Sequence, residues 1–236
     1  MKSQKYNLII IFVLVFVNNV VNSQPKLSVD LGLGLYQPIL EGFDENDAFP
    51  SKNVFNRNLL LNYGIYYEFF SNARIGYNNL SSFETGQVKF VNFDGAFTRN
   101  INYRIFALET FFRWRPRIEF NFTLSPVWGK GVIKMDTEPE ESVGDWNELL
   151  ASFGSTDFIN KIGSTNSMVK NWVGYAGIIG LRYYLSSRIA VDLKSGFLNN
   201  NYQEKDWILN NTKVTGPKLK IDELPIFTLK IIYGLR

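Results

Sequence analysis

Apolar and polar residues alternate with a period of two along the segment Gly177–Phe197. Leu181 and Tyr183 fall on one side of the alternation and Arg182 on the other, and the pattern resumes after the pair Ser186-Ser187. Successive side chains of a β-strand point to opposite faces of the sheet. The segment therefore predicts a β-hairpin with one apolar face and one face that carries charges.

The same alternation recurs along the chain and predicts eight strands. Each run, together with the residues that flank it, leaves room for a strand of about 9–11 residues. A tilted strand needs this length to cross a bilayer. The runs are Leu27–Tyr36, Leu59–Phe69, Ala73–Asn78, Ile105–Trp114, Ile118–Ser125, Gly177–Leu185, Ile189–Phe197 and Phe227–Arg236.

The connections between the runs are unequal, and short and long ones alternate. The short turns are Ser71-Asn72, Arg115-Pro116 and Ser186-Ser187, and the long segments are Gln37–Asn56, Phe83–Asn100, Lys134–Met168 and Leu198–Leu224. Strands that run up and down would place all short turns at one end, as in outer-membrane barrels. We therefore predict an all-β fold, an eight-stranded antiparallel up-and-down transmembrane β-barrel with long extracellular loops. A soluble sandwich, or a soluble secreted barrel with a ligand inside, is the alternative.

Ten charged residues, five acids and five bases, lie opposite the apolar faces. They are Asp30, Glu68, Arg74, Glu109, Arg113, Glu119, Arg182, Asp192, Lys194 and Lys230. The interior of an eight-stranded barrel is just wide enough to be filled by side chains, and buried charges have to be paired. We therefore predict a charge network inside the barrel and no wide pore. In a soluble sheet the same residues would be solvated strand positions.

Aromatic residues are concentrated near the short-turn ends of the runs and near the C-terminus. They are Phe69, Phe112, Trp114, Tyr183 and Tyr233, with Phe70 and Tyr184 beside them. Aromatic side chains favour the membrane–water interface, so the pattern predicts a girdle on the periplasmic side. Ordinary core aromatic residues are the alternative interpretation.

The third long segment contains a helical pattern. Trp146, Leu149, Leu150 and Phe153 follow one another at i, i+3, i+4 and i+7, and Asp145 stands where a helix N-terminus favours negative charge. We predict a short helix that covers the mouth of the barrel. A helix that binds a partner or acts as a lid is the alternative.

The N-terminus has the features of a signal peptide. Lys2 and Lys5 precede the apolar stretch Leu8–Val17, which is too short to cross a bilayer as a helix. Val21 and Ser23 are suitable residues before a cleavage point at Ser23/Gln24. We predict a signal peptide over residues 1–23 and a barrel domain over residues 24–236, exported to the outer membrane.

Composition narrows the classes of function. Aromatic residues make up 16% of the chain, which favours strands, and a net charge of +3 over 236 residues gives no indication of nucleic-acid binding. The chain contains no Cys and no His, so it has neither a thiol nucleophile nor an imidazole base. We predict no catalytic activity, no cofactor and no metal site. A Ser–Lys or carboxylate pair, for example with Glu109 or Glu119, is the enzymatic alternative.

Two segments resemble a known group of proteins. The hairpin Gly180–Phe197 looks like the penultimate hairpin of small outer-membrane β-barrel proteins, the "porin family" or OmpA/OmpX-like barrel domains of the Bacteroidota type. The final strand, ending in Tyr233-Gly234-Leu235-Arg236, resembles the C-terminal signal read by the barrel assembly machinery, although it lacks a terminal Phe. The resemblance implies an outer-membrane barrel, and its members have diverse roles.

These observations predict a non-enzymatic integral outer-membrane protein with an envelope-structural or surface-interaction role through its extracellular loops. The alternatives are porin-like or lateral transport of small solutes or apolar molecules, and an accessory role in a secretion system. The expected partners are membrane lipid and lipopolysaccharide, the barrel assembly machinery during biogenesis, and an unidentified extracellular or envelope protein.

Overall fold

The structure is a computed structural model and describes residues 26–35, 38–40, 59–82, 97–135, 143–160, 167–221 and 226–235. The predicted signal peptide at residues 1–23 lies outside these residues, as does Arg236. In chain order the elements are β1 (Leu27–Leu35), β2 (Pro38–Leu40), β3 (Leu59–Phe70), β4 (Ala73–Ser82), β5 (Phe97–Arg115), β6 (Ile118–Met135), helix α1 (Val143–Ser152), β7 (Ser167–Tyr184), β8 (Ile189–Asn201), a 3-10 turn (Glu204–Asp206), β9 (Trp207–Leu209), β10 (Thr212–Val214), β11 (Leu219–Ile221) and β12 (Ile226–Leu235).

Eight of these strands form a closed antiparallel barrel. Strands β3 to β8 pair successively along the chain, β12 pairs with β8, and β1 joins β12 to β3. The first and last strands meet with Leu27 opposite Leu235, so the hydrogen-bond ladder returns to its start. Closure removes the free edges that an open sheet would expose. The predicted eight-stranded up-and-down barrel is confirmed.

The apolar face of the barrel strands lies on the outside. On β6, Phe122 and Leu124 are 50% and 55% exposed, whereas Glu119 and Asn121 are 0% and 4% exposed. The burial of successive residues alternates in this way along the whole strand. A soluble protein has the opposite arrangement, with its apolar face in the core.

The three predicted short turns lie at one end of the barrel. The second turn is made by Pro116 and Arg117, whereas Arg115 still belongs to β5, one residue later than predicted. In the third turn, the Ser186 hydroxyl accepts hydrogen bonds from the backbone N–H groups of Arg188 (3.3 Å) and Ile189 (3.0 Å). This local bonding favours a tight reversal of the chain.

Strands β5, β6 and β7 are longer than predicted. They have 19, 18 and 18 residues, so Phe97–Asn100 and Ser167–Met168 are strand where the sequence predicted loop. Strand β8 likewise continues to Asn201. The predicted limit on β6 fell at Ser125 because the alternation is lost there, where Pro126, Val127 and Trp128 place apolar residues on both faces. Beyond these residues the inward positions are apolar and the outward ones include Lys130 and Lys134.

The extended strand ends and the segments around them form what we call the cap. It consists of the long-loop ends of β5, β6 and β7, helix α1, and the hairpin β9–β10, whose strand β9 pairs with β7 through Met168–Leu209 and Val169–Ile208. Its buried core contains Tyr103, Ile133, Met135, Trp146, Leu149, Leu150, Met168, Trp172, Trp207 and Leu209. The prediction that charges fill the interior was therefore wrong for this half of the molecule, where the interior is apolar.

The predicted short helix is present and packs into the cap. Trp146, Leu149 and Leu150 are buried, as the helical periodicity predicts. Phe153 differs from the prediction, because it lies in the turn after α1, where its N–H donates to the Leu150 carbonyl at 3.1 Å. It still packs against the cap core. Among the described residues, no helix has the length and apolar character needed to cross a membrane.

Candidate functional site

In the interior of the short-turn half, positively and negatively charged residues face one another on neighbouring strands around the barrel. Glu68 on β3 lies opposite Arg74 on β4, which lies opposite Glu109 on β5. A second series of directly opposite residues runs across β5, β6, β7, β8 and β12 through Arg113, Glu119, Arg182, Asp192 and Lys230. Opposite charges on facing positions of neighbouring strands stabilise a sheet. The register of the barrel therefore pairs the charges.

Arg74 joins the two central carboxylates. Its Nη1 lies 2.9 Å from Glu109 Oε1 and 2.6 Å from Glu119 Oε1, and its Nη2 donates to Glu119 Oε2 at 2.7 Å. The guanidinium also stacks over the Phe111 ring, with Cζ 3.7 Å from the ring centroid. Tyr184 donates its hydroxyl proton to Glu119 Oε2 at 2.8 Å. The bidentate contact between Arg74 and Glu119 gives these two side chains a defined relative orientation.

Glu109 is held by three cations. Besides Arg74, it accepts from Arg182 Nη2 at 3.2 Å and from the Lys194 ammonium. Arg182 also donates to Asp192 Oδ2 at 2.8 Å, and Lys194 Nζ lies 3.7 Å from the same oxygen. These five side chains are at most 4% exposed. The centre of the network is therefore buried and fully paired.

The remaining predicted charges lie on either side of this centre. Toward the short turns, Arg113 contacts Glu68 and Glu119, each at 3.4 Å. Farther along the interior, Lys230 contacts Asp30 at 3.1 Å and donates to Asn78 at 3.0 Å. The structure thus brings eight of the ten predicted residues into one cluster and places Asp30 and Lys230 in a neighbouring pair.

Tyr66 links this pair to the main cluster. Its ring centroid lies 5.3 Å from Lys194 Nζ and 5.9 Å from Lys230 Nζ, within the range of cation–π attraction. Its hydroxyl accepts a hydrogen bond from the Asn78 amide. Gly76 provides the space for the ring, since a Cβ at this position would overlap it.

The sequence interpretation missed the neutral members of the network. Asn121 donates to Asp192 at 3.2 Å, Thr123 donates to Glu109 at 3.3 Å, and Tyr66 and Tyr184 act as described above. Tyr184 was predicted in the girdle, but its side chain points inward. Strand alternation contained the signal, because Tyr184 follows Arg182 by two residues and so shares its face.

The five principal girdle residues lie on the outer surface near the short turns. Phe69, Phe112, Trp114, Tyr183 and Tyr233 are 40–58% exposed. A second aromatic row, which the sequence analysis did not predict, crosses the outer surface toward the long-loop end. Tyr77, Phe106 and Trp128 form this row on β4, β5 and β6, with ring centroids 5.9 and 6.0 Å apart. We refer to these three residues as the aromatic row.

Polar contacts tie the chain after β8 to the cap. The Trp207 indole donates to the Tyr202 hydroxyl at 2.7 Å, and Tyr202 in turn donates to the Pro217 carbonyl. Burial raises the pKa of Tyr202, so this hydroxyl keeps its proton at neutral pH. Asp206 pairs with Lys213 at 3.3 Å and with Lys170 at 3.4 Å. The hydrogen bond from Lys213 and the charge of Lys170 lower the pKa of Asp206.

The two interior cavities that the described residues line are small. They each measure about 20 Å³, one beside Tyr66 and Lys194 and the other beside Arg74 and Tyr184. A volume of this size accommodates about one water molecule. A much larger cavity of about 840 Å³ lies on the outer side of β5, β6 and β7, next to the aromatic row.

Comparisons with known proteins find similar architecture in solved structures. The outer membrane protein OprG of Pseudomonas aeruginosa is 10% identical with a TM-score of 0.49, and the match covers 91% of this chain and 98% of that one. Neisserial surface protein A is 6% identical with a TM-score of 0.48, covering 91% and 100%. The attachment invasion locus protein Ail of Yersinia pestis is 12% identical with a TM-score of 0.44, covering 89% and 97%.

At these identities the likeness concerns architecture and says nothing about activity. No protein-family model matches the chain, and no curated protein matches it. The porin-family and Bacteroidota assignments therefore stay predictions.

Proposed function

We propose that this chain is an integral outer-membrane β-barrel protein that conducts no solute, catalyses no reaction, and acts through the end that carries the long loops. The observation that carries the proposal is a closed barrel with an apolar outer wall and an interior filled by side chains. An apolar outer wall suits hydrocarbon, and a filled interior suits a structural or binding role.

The dimensions of the outer wall support placement in a membrane. Along β6 the outward apolar residues extend from Phe120 to Trp128. This nine-residue span matches the roughly 9–11 residues of a tilted membrane strand. The girdle lies near one end of the wall and the aromatic row toward the other, as expected at two membrane–water interfaces. The next outward residue on β6 is Lys130, which is exposed.

The interior argues against transport. The charge network blocks the short-turn half, the cap core blocks the long-loop half, and the two interior cavities are each about 20 Å³. A water-filled channel would need the paired charges and the buried Trp and Leu side chains to separate together. We therefore favour a closed barrel over the porin-like and lateral-transport alternatives.

The contacts of the carboxylates argue against catalysis. Glu109 and Glu119 are the acidic residues that an enzymatic alternative would use, but each is buried and held by arginine side chains. A general base has to be within reach of a substrate proton. Carboxylates that are enclosed in this way serve to neutralise the interior.

The proposed role lies in the surface-exposed end, in envelope structure or surface interaction. Helix α1 and the β9–β10 hairpin give this end a packed core, so it can present a defined surface to a partner. The partners in this proposal are outer-membrane lipids including lipopolysaccharide, and an envelope or extracellular protein. Export through residues 1–23 and insertion by the barrel assembly machinery are part of the same proposal.

Two measurements test it. The protein is expected to fractionate with outer membranes and to migrate faster on gels before heating than after, because a closed barrel resists detergent unfolding. In planar bilayers it is expected to give no steady conductance, with a water-filled porin reconstituted in parallel as the positive control. Recovery only in soluble fractions would overturn the membrane assignment, and a steady large conductance would overturn the closed interior.

A further inference from the structure

The outward residues of β5, β6 and β7 change from apolar to polar at one level of the barrel. Going toward the long-loop end, Phe106 is followed by Arg104, Trp128 by Lys130, and Val173 by Asn171. All six line the outer cavity of about 840 Å³. We call this cavity, with its polar rim of Arg104, Lys130 and Asn171, the basic groove.

The strand register brings the two cations of the basic groove together. Arg104 lies directly opposite Trp128, and Lys130, two residues farther along β6, lies opposite Asn171 on β7. Arg104 and Lys130 are therefore diagonal neighbours, about 7–8 Å apart at this kind of position, so their long side chains can reach one ligand group. Both residues are exposed.

The charge of the basic groove is not neutralised from within the described part of the chain. Arg104 and Lys130 form no ion pair with any described carboxylate, unlike the interior cations. Asp206 lines one side of the groove, but it is already paired with Lys170 and Lys213. Among the described residues, the lining of the groove therefore carries excess positive charge.

The floor of the basic groove is apolar. The aromatic row lies directly beside the cations. Phe106 is two residues from Arg104 and Trp128 is two residues from Lys130, so each aromatic ring shares a face with a basic side chain. A ligand that fits both parts has an anionic head and an apolar chain. A volume of about 840 Å³ falls within the range of small-molecule sites.

We propose that the basic groove binds the phosphorylated headgroup of a lipid of the outer leaflet. The lipid phosphate contacts Arg104 and Lys130, Asn171 donates a further hydrogen bond, and an acyl chain lies along the aromatic row. The inference rests on the proposed function, because the groove meets lipid only if the apolar wall is inserted in a membrane. It goes further in assigning the binding to one side of the barrel and to the phosphate.

The test uses the full protein folded in neutral detergent micelles and measures lipid retention by native mass spectrometry. The probes are lipid A with both phosphates, the same lipid without phosphates, and inorganic phosphate. We expect the phosphorylated lipid to bind at least about tenfold more tightly than the dephosphorylated one, and the double variant Arg104→Gln, Lys130→Gln to lose this preference. The matched control Arg117→Gln, Arg188→Gln removes two exposed cations at the short-turn end and is expected to retain it.

Three results would overturn the inference while the proposed function stood. They are equal binding of the two lipids, an unchanged preference in the Arg104/Lys130 variant, and binding of inorganic phosphate as tight as that of the lipid. Heat-dependent gel mobility measured on every variant shows that the barrel is folded. A protein that never inserts into membranes would instead contradict the proposed function itself.

Discussion

Glu109 shows how individual side chains keep a charged interior stable. Its Oε1 atom lies 2.9 Å from Arg74 Nη1 and 3.2 Å from Arg182 Nη2, and its Oε2 atom pairs with the Lys194 ammonium. Each contact offsets part of the desolvation cost of burying a charge. Because the three cations are themselves buried, Glu109 is more than one half of an ion pair: it is an anion that three buried cations share.

Neutralising Glu109 is therefore expected to destabilise the barrel strongly. Glu109→Gln leaves Arg74, Arg182 and Lys194 with one anion fewer, which should cost about 3–5 kcal/mol in the free energy of unfolding. The measurement is urea-induced unfolding from lipid vesicles, with the exposed Glu148→Gln on α1 as the control. Adding Lys194→Met to Glu109→Gln should recover part of the loss, and equal stability of Glu109→Gln and the native protein would contradict the network.

The close packing of Tyr66 against Gly76 leads to a second prediction about single residues. A Val at position 76 would overlap the Tyr66 ring and displace it from Asn78 and from the two lysines, which should cost about 1–3 kcal/mol. Gly177→Val is the matched control, because a Cβ at Gly177 has open space around it. Unfolding in urea would again measure the difference, and similar losses in the two variants would show that the loss does not come from overlap with Tyr66.

At the scale of the element, strands β5, β6 and β7 serve two environments along their length. Near the short turns their outward side chains are apolar and many inward ones are charged. Beyond Trp128 on β6, the inward side chains are apolar and the outward ones include Lys130 and Lys134. This change lets the same strands carry an exposed apolar wall and then the apolar core of the cap. Helix α1 and the β9–β10 hairpin complete that core, which the three long strands alone would leave open.

Removing the central side chain of α1 is expected to open the cap and spare the barrel. Trp146 is 0% exposed, and Trp146→Ala should cost about 3–5 kcal/mol locally. Hydrogen exchange of Leu149 and Leu150 should accelerate, while heat-dependent gel mobility stays as in the native protein. Glu148→Ala on the exposed side of α1 is the control. Unchanged exchange in Trp146→Ala would mean that α1 is held by other contacts.

The ion pairs of Asp206, in the segment after β8, lead to a prediction about their dependence on pH. The hydrogen bond from Lys213 and the charge of Lys170 lower the pKa of Asp206, so the ion pairs persist at and above the ordinary pKa of an aspartate. Because the folded-state pKa is the lower one, their contribution is lost only as the pH falls through it. An NMR titration should find a midpoint below the usual range, and Lys213→Met should raise it. The same midpoint in both proteins would contradict the assigned cause.

At the scale of the whole molecule, the barrel combines an apolar wall with two different fillings. Salt bridges occupy the short-turn half and a hydrophobic core occupies the long-loop half. Closure of the ladder through β1 and β12 encloses both fillings in one barrel. In the proposed membrane location, the outer wall, and not the interior, supplies the contact with the hydrocarbon phase.

A charge on the outer wall is therefore expected to impair insertion more than a charge beyond it. Phe122→Arg places a guanidinium near the middle of the apolar span of β6 and should cost about 2–4 kcal/mol in folding into bilayers. Asn100→Arg, on the outward face of β5 beyond the aromatic row, should have little effect. Folding free energies in phosphatidylcholine vesicles measure both, and equal effects would contradict the proposed position of the membrane.

The sequence by itself determined the number of barrel strands, their up-and-down order, and which residues share a face. These features follow from a period-two pattern and from loop lengths, both of which are local properties of the chain. The same alternation put Arg74 and Glu109 on the inward side. It failed beyond Ser125, because Pro126, Val127 and Trp128 place apolar residues on both faces and the loss of alternation indicates the end of a strand.

Only the tertiary structure decided which charges meet and where the interior turns apolar. Residues such as Arg74 and Glu119 are 45 positions apart and on strands that do not pair directly, so their bidentate contact depends on barrel curvature and register. The cap core likewise combines Trp146, Trp172 and Trp207 from three separate segments. Alternation specifies the face of a side chain, whereas closure of the barrel specifies its neighbours across the interior, and no local pattern contains that information.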